Sequence, residues 1–188
     1  MAGDGDTALS NHDVDDHNGV VMAGSLDVEE FNRLSEQERM RLLSGVCASP
    51  LWARRVLEGG PFRDADALFE RAEQVLAVLP DTGLAAALDG HPRIGAAPDN
   101  PDSQREQALV TGASDAVKAE LAAEGRRYED KFGYVYLVCA SGRTAAELLA
   151  ILTARLDNDP ETERRVMRSE LAKITRLRLQ RLMSKENP

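Results

Sequence analysis

Helix-start signals recur along this 188-residue chain, each followed by apolar residues at helical spacing, whereas only one short run reads as a strand. Ser35-Glu-Gln-Glu38 has the capping-box pattern, in which a hydroxyl and a carboxylate satisfy each other's backbone N–H groups, and Met40, Leu42, Leu43 and Val46 follow it. Ser25 is the expected cap of a short helix reaching Phe31. Ser49-Pro50 opens a segment with Trp52 and Val56 inward, ended by Gly59-Gly60-Pro61. From Asp64, the residues Leu68, Ala72, Val75, Leu76 and Leu79 keep helical spacing as far as Pro80, and a brief helix over 83–88 follows. Ser114 caps a helix with Val117, Leu121, Tyr128 and Phe132 inward, and Thr144 one with Leu148, Ile151, Leu152 and Leu156. Asn158-Asp-Pro160 turns the chain into a last helix over 161–183. Tyr134-Val-Tyr-Leu-Val-Cys139 is β-branched and aromatic but has no second strand to pair with, so it reads as buried extended chain. The pattern predicts an all-α protein, a compact bundle of about eight helices with one short buried extended segment.

The boundaries come from composition. Residues 1–24 mix Gly, Asp, Asn and His with few bulky apolar groups, and a disordered acidic tail is expected there. His12 and His17 belong to that stretch. Residues 25–188 are expected to form one helical domain. Net charge is −9, but Asp4, Asp6, Asp13, Asp15 and Asp16 supply five of those charges, leaving the body at −4, and no nucleic-acid partner is expected. No run approaches the roughly 18 apolar residues of a membrane span, and no basic-then-apolar leader opens the chain, so a cytoplasmic protein without a membrane partner is expected. Cys47 and Cys139 stand in apolar surroundings without metal-type spacing and read as reduced core thiols. With a single histidine in the body, no metal site is expected.

That histidine, His91, lies in the segment where the chain's chemistry concentrates. Asp89-Gly90 reads as a helix end with Gly90 in the left-handed position, and Pro92 biases His91 toward extended backbone. Prolines follow, and Ser103-Gln-Arg-Glu106 then opens the next helix, running to about Val110. A titratable ring and a carboxylate are thereby set at two neighbouring helix ends. His91 is either a structural turn residue or a proton carrier. Ser103 and Glu106 are either a capping box or ligand groups, and for Glu106 the two exclude each other. On the last helix Met167, Leu171, Ile174 and Leu182 share a face with Arg178 at its middle, whereas Arg165, Lys173 and Arg176 point away. A guanidinium in an apolar stripe needs an acceptor, either an internal carboxylate or a bound anion.

His-Pro-Arg-Ile-Gly at 91–95, Ser-x-x-Glu-Gln at 103–107, Tyr-Glu-x-Lys-Phe-Gly-Tyr at 128–134, Arg-Leu-x-Asn at 155–158 and Ile-x-x-Leu-Arg-Leu at 174–179 occur in that order. Together they resemble the 2-oxo-4-hydroxy-4-carboxy-5-ureidoimidazoline (OHCU) decarboxylases, which form (S)-allantoin on the route of urate degradation. The likeness extends over about residues 26–183, including Trp52-Ala and Gly-Pro-Phe62. It implies an all-α, cofactor-free carboxy-lyase, commonly a homodimer, acting on a small ureidoimidazoline. It also implies His91 and Glu106 as catalytic residues, and Pro92, Ser103, Gln107, Val138 and Arg178 as substrate-binding ones. Arg178 would fix a carboxylate or polar oxygen by two parallel hydrogen bonds, and Glu106 and Gln107 would receive ring and ureido N–H groups. Ala96, Leu109 and Gly59-Gly60 depart from the family's pattern and bear on the shape of the pocket. A non-catalytic helical interaction module keeping the same packing is the alternative, with the basic face of the last helix as its docking surface.

Overall fold

In the computed structural model, residues 26–96 and 101–184 are described, and the expected tail over 1–24 lies outside them, as does Ser25. Ten helices are found among the described residues: α1 Val28–Arg33, α2 Glu36–Val46, α3 Pro50–Leu57, α4 Ala65–Ala77, α5 Asp81–Asp89, α6 Pro101–Glu106, α7 Ala108–Thr111, α8 Asp115–Phe132, α9 Ala145–Arg155 and α10 Pro160–Met183. The fold is all-α, with more helices than the expected eight or so. One reason is that the helix after the proline-rich turn is broken at Gln107.

Local chemistry sets most of the starts. Ser35 and Thr144 form capping boxes with Glu38 and Glu147, and Ser49, Asp64, Ser114 and Asp159 cap α3, α4, α8 and α10 with their side chains. The first helix starts later than expected. Its cap is Asp27, in a reciprocal box with Glu30.

Two apolar clusters build the interior. One joins α1–α5 to α10 around Phe31, Trp52, Leu68, Leu79, Met167 and Leu171. The other lies between α8 and α9 around Leu121, Tyr128, Leu148 and Leu152. The expected extended segment runs between them with no partner strand among the described residues, and its side chains alternate. Leu137 and Cys139 enter the first cluster, and Tyr136, Val138 and Ala140 the second. That period of two is the signature of extended backbone. Cys47 and Cys139 are free thiols in this interior, and burial pushes Cys47 up to about 11.

A backbone with no ladder needs other partners for its polar groups. Arg155 Nη1 donates to the Leu137 carbonyl at 2.7 Å, and the Cys139 N–H donates to Glu170 at 2.8 Å. Arg155 is itself held by Glu163, which also takes the Tyr128 hydroxyl and, at 2.7 Å, the Asn158 amide. The Arg155 guanidinium further lies over the Tyr136 ring, 4.9 Å from its centroid. Arg155 and Asn158 of the Arg-Leu-x-Asn motif therefore serve a buried ionic core around the wholly buried Glu163. Burial pushes the Tyr128 phenol far above its ordinary range.

Candidate active site

The sequence-predicted residues converge on one cavity. Its walls include His91, Pro92, Ser103, Glu106, Gln107 and Val138. Arg178 does not line it but stands behind Glu106. Ile94, Tyr136, Leu137, Ala140 and Ile174 complete the walls; Ile94 and Ile174 lie in the quoted motifs and Tyr136 and Leu137 in the extended segment, whereas Ala140 carries no signal in the sequence. Ala96, Leu109 and Gly59-Gly60 are not among the lining residues, so the departures from the family's pattern fall outside these walls.

His91 follows α5 directly. Gly90 is not left-handed as expected, since its φ is −80°. Glycine is required there by proximity: a Cβ at Gly90 would lie 2.5 Å from the Ala48 Cβ. The left-handed glycine of this turn is Gly95, at φ +83°. It places its N–H on Gln107 Oε1 at 2.9 Å, which ties the histidine turn to the break between α6 and α7. An N–H can only donate, so Gln107 meets it with oxygen and keeps its NH2 group for another acceptor. One lone pair of the Gln107 oxygen is thus engaged by Gly95, which leaves its second lone pair and the NH2 group for other partners.

The imidazole is oriented in the same way. His91 Nδ1 lies 2.8 Å from the Ala87 carbonyl oxygen, which accepts and cannot donate, so Nδ1 carries the proton. Nε2 is then a lone-pair acceptor; it is buried and has no hydrogen-bond partner among the described residues. Burial and the Arg178 charge hold the His91 pKa below its ordinary value, against the opposing pull of the Ala87 bond and Glu106. The ring is neutral near pH 7 and ready to take a proton.

Glu106 does not cap its own helix. Helix α6 begins at Pro101, which puts Ser103 inside it and Glu106 at its end. The carboxylate turns to α10. Arg178 Nε meets Oε1 at 2.8 Å and Nη2 meets Oε2 at 2.9 Å, a two-pronged ion pair with side chains only 6% and 8% exposed. Arg178 also donates to Ser103 Oγ and to the Val46 carbonyl, each at 3.3 Å. The parallel bonds expected between Arg178 and a substrate are therefore spent on Glu106, and the internal salt bridge is the arrangement present. Arg181 adds a longer contact to Glu106 Oε1 at 3.3 Å. Of the roughly four lone-pair positions of a carboxylate, one remains for a ligand N–H.

Val138 supplies backbone. In a trans peptide the C=O and the next N–H point opposite ways. With the Leu137 carbonyl on Arg155 and the Cys139 N–H on Glu170, the Val138 N–H and C=O turn away from both clamps. Val138 is 2% exposed, and neither group has a partner among the described residues.

The cavity measures about 20 Å³, room for about one water. A ligand of a dozen or so heavy atoms enters only if these walls part. His91 and Pro92 also wall a groove of about 770 Å³ on their other side, where Arg93 pairs with Glu129 and Arg164 with Asp81. The histidine turn is the partition between groove and cavity.

A buried acceptor nitrogen, an anchored carboxylate, an amide NH2 and two peptide groups without described partners thus stand together in an all-helical frame, the kinds of group that small-molecule acid–base chemistry uses. Residues 32–180 match the family model described as OHCU decarboxylase, and the chain belongs to that family. It is 33% identical over 147 residues to the uric acid degradation bifunctional protein TTL of Arabidopsis thaliana, covering 73% of this chain and 45% of that protein. With the 2-oxo-4-hydroxy-4-carboxy-5-ureidoimidazoline decarboxylase of Amia calva it shares 28% over 163 residues, covering 82% of this chain and 93% of the other. The chain thus spans less than half of the bifunctional relative and nearly all of the single-function one. A crystal structure of OHCU decarboxylase in the presence of (S)-allantoin superposes with a TM-score of 0.67 at 28% identity, over 80% of this chain and 99% of that one.

Proposed function

We propose that this chain decarboxylates 2-oxo-4-hydroxy-4-carboxy-5-ureidoimidazoline to (S)-allantoin in urate degradation. The observation that carries the reading is the meeting of His91, Glu106, Gln107 and Val138 around one cavity in a chain of this family. As the substrate's name states, hydroxyl and carboxyl share one ring carbon. When the carboxylate leaves as carbon dioxide, its bonding pair moves toward the neighbouring ring carbon and the imine nitrogen. The imine nitrogen, left with the extra pair, takes a proton from solvent, and the product needs a second one at that neighbouring carbon, on one face, while the hydroxyl loses one as it becomes a carbonyl. Neutral His91, open at Nε2, accepts the hydroxyl proton and as imidazolium returns one to carbon. Glu106 receives a substrate N–H, Gln107 donates to a carbonyl, and the Val138 peptide groups take a paired N–H and C=O of the ring or ureido arm. Arg178 acts through Glu106 and Ser103, fixing both. A homodimer in the cytoplasm is the assembly and place this reading carries with it; among the described residues no helix is long and apolar enough to cross a membrane.

Freshly generated substrate mixed with the purified protein tests the reading, followed by the circular dichroism of allantoin. The S form is expected to accumulate faster than spontaneous decay. A racemate formed at the uncatalysed rate would leave the helical interaction module as the better account.

A further inference from the structure

Glu170 is a buried carboxylate, 7% exposed, that none of the roles above uses beyond a single backbone bond. Its Oε2 receives the Cys139 N–H at 2.8 Å, its Oε1 receives Lys173 Nζ at 2.5 Å, and Arg143 lies 3.7 Å away. Lys173 is half exposed, and a pairing of that kind adds little to stability. Burial of Glu170 is costly for a surface ion pair alone. Burial penalises its charge, yet Lys173 and the Cys139 N–H outweigh that penalty and hold its carboxyl below the ordinary value. The distinctive contact is the one to the peptide.

We propose that Glu170 is a positioning residue for the decarboxylation, holding the Val138–Cys139 peptide against α10 so that the Val138 N–H and C=O face the substrate. The inference rests on the function proposed above. Arg155 fixes the peptide before Val138 through the Leu137 carbonyl, and Glu170 fixes the one after it. Two planar peptides pinned on one side leave their outer N–H and C=O in a set direction. With one pin removed, the second peptide turns about the Val138 Cα–C and Cys139 N–Cα bonds, and the pair loses its common aim. Arg155 also holds Tyr128 and Glu163 in the interior, so its replacement reports on folding. The other bonds of Glu170 run to partly exposed cations, which makes it the informative member.

Reach and charge separate the two meanings of this carboxylate. Glu170→Gln keeps the length and an acceptor oxygen for Cys139 but gives up the charge. Glu170→Asp keeps the charge but draws the acceptor back by a methylene. Positioning predicts that the Asp variant loses about 10²-fold in kcat/KM, the order that a misplacement of about 1 Å produces, and part of its enantiomeric excess. The Gln variant retains most of both. Lys173→Met, which breaks the ion pair and leaves the peptide bond partner in place, keeps the wild-type kinetics. Glu170→Ala gives the same reading as the Asp variant should that one not fold. Gln worse than Asp, Lys173→Met as damaging as Asp, or a folded Asp variant with unchanged kcat, KM and enantiomeric excess overturns the proposal. A wild-type protein that forms no excess of (S)-allantoin overturns the decarboxylase reading itself. An active wild type with an unaffected Asp variant overturns only the role of Glu170.

Discussion

His91 is held at one nitrogen and open at the other, and its titration follows from that. Its pKa in the folded chain lies below the ordinary value near 6.5, mainly through burial and then through Arg178. The unfolded chain therefore binds the proton first as pH falls. The group's contribution to stability is complete above about 6.5 and is lost as pH drops from there toward the folded pKa. The acid limb of kcat/KM is accordingly expected below 6.5, and a pH–rate profile with the limb above it would contradict the neutral, Nε2-accepting ring. His91→Ala is expected to lose ~10²–10⁴-fold in rate, letting racemic decay dominate, while the lost Ala87 bond costs only about 1 kcal/mol in thermal unfolding. Arg178 and Arg176 are separated just as sharply. Arg178→Ala leaves Glu106 as an uncompensated buried charge and is expected to cost about 3–5 kcal/mol. Arg176 pairs with Glu73 at half-exposed positions, and Arg176→Ala is expected to cost about 0–1 kcal/mol. Denaturant titration of the two variants reads the difference, and equal small losses would contradict the buried pair.

At the scale of elements, α5 and its turn are set by a neighbour. Gly90→Ala would drive a Cβ into Ala48 and is expected to cost about 1–3 kcal/mol, with a loss of kcat as His91 moves with the displaced turn. Unchanged melting and kinetics would show that the two segments part freely. This position also shows what the amino-acid order conceals. Capping boxes at Ser35 and Thr144 are legible because donor and acceptor lie three residues apart. The left-handed assignment of Gly90 fails because its reason is Ala48, which is distant in sequence. The Ser103–Glu106 spacing reads as a cap for the same cause, since the competing partner of Glu106 is Arg178, 72 residues on. The inward face of α10 is visible as a stripe, but whether Arg178 meets a carboxylate or a ligand is a matter of tertiary pairing. The unpaired extended segment is legible from composition. Its anchoring by Arg155 and Glu170 is not, because each looks locally like an ordinary surface charge of its helix.

In the whole molecule one helix ties together several of the groups that bear on the cavity. Glu163, Met167, Glu170, Leu171, Ile174 and Arg178 fall within about 100° of one another on α10 at 100° per residue. Through them α10 holds the Arg155 core, the Cys139 peptide and Glu106, while Leu26 donates to the Leu182 carbonyl at 3.0 Å where the described fold begins. Removal of residues 1–24 is therefore expected to leave melting temperature and kinetics unchanged, and a fall of more than a few degrees would show that the segment packs on the body. Glu163 and Arg178 are fifteen residues apart, a span of ~22 Å along the axis. Such a spacing has a consequence for how the chain can vary in length. Extra residues in the connections, for instance before Pro101, change how far the chain travels but not the order of groups along α10. A single residue inserted between Glu170 and Arg178 rotates Arg178 by about 100° and lifts it ~1.5 Å, stripping Glu106 of its fork while the ionic core at Glu163 stays intact. The connections of this chain are thus expected to accept added length, whereas α10 between Glu163 and Arg178 is expected to accept substitution on its outer face but no change in its number of residues.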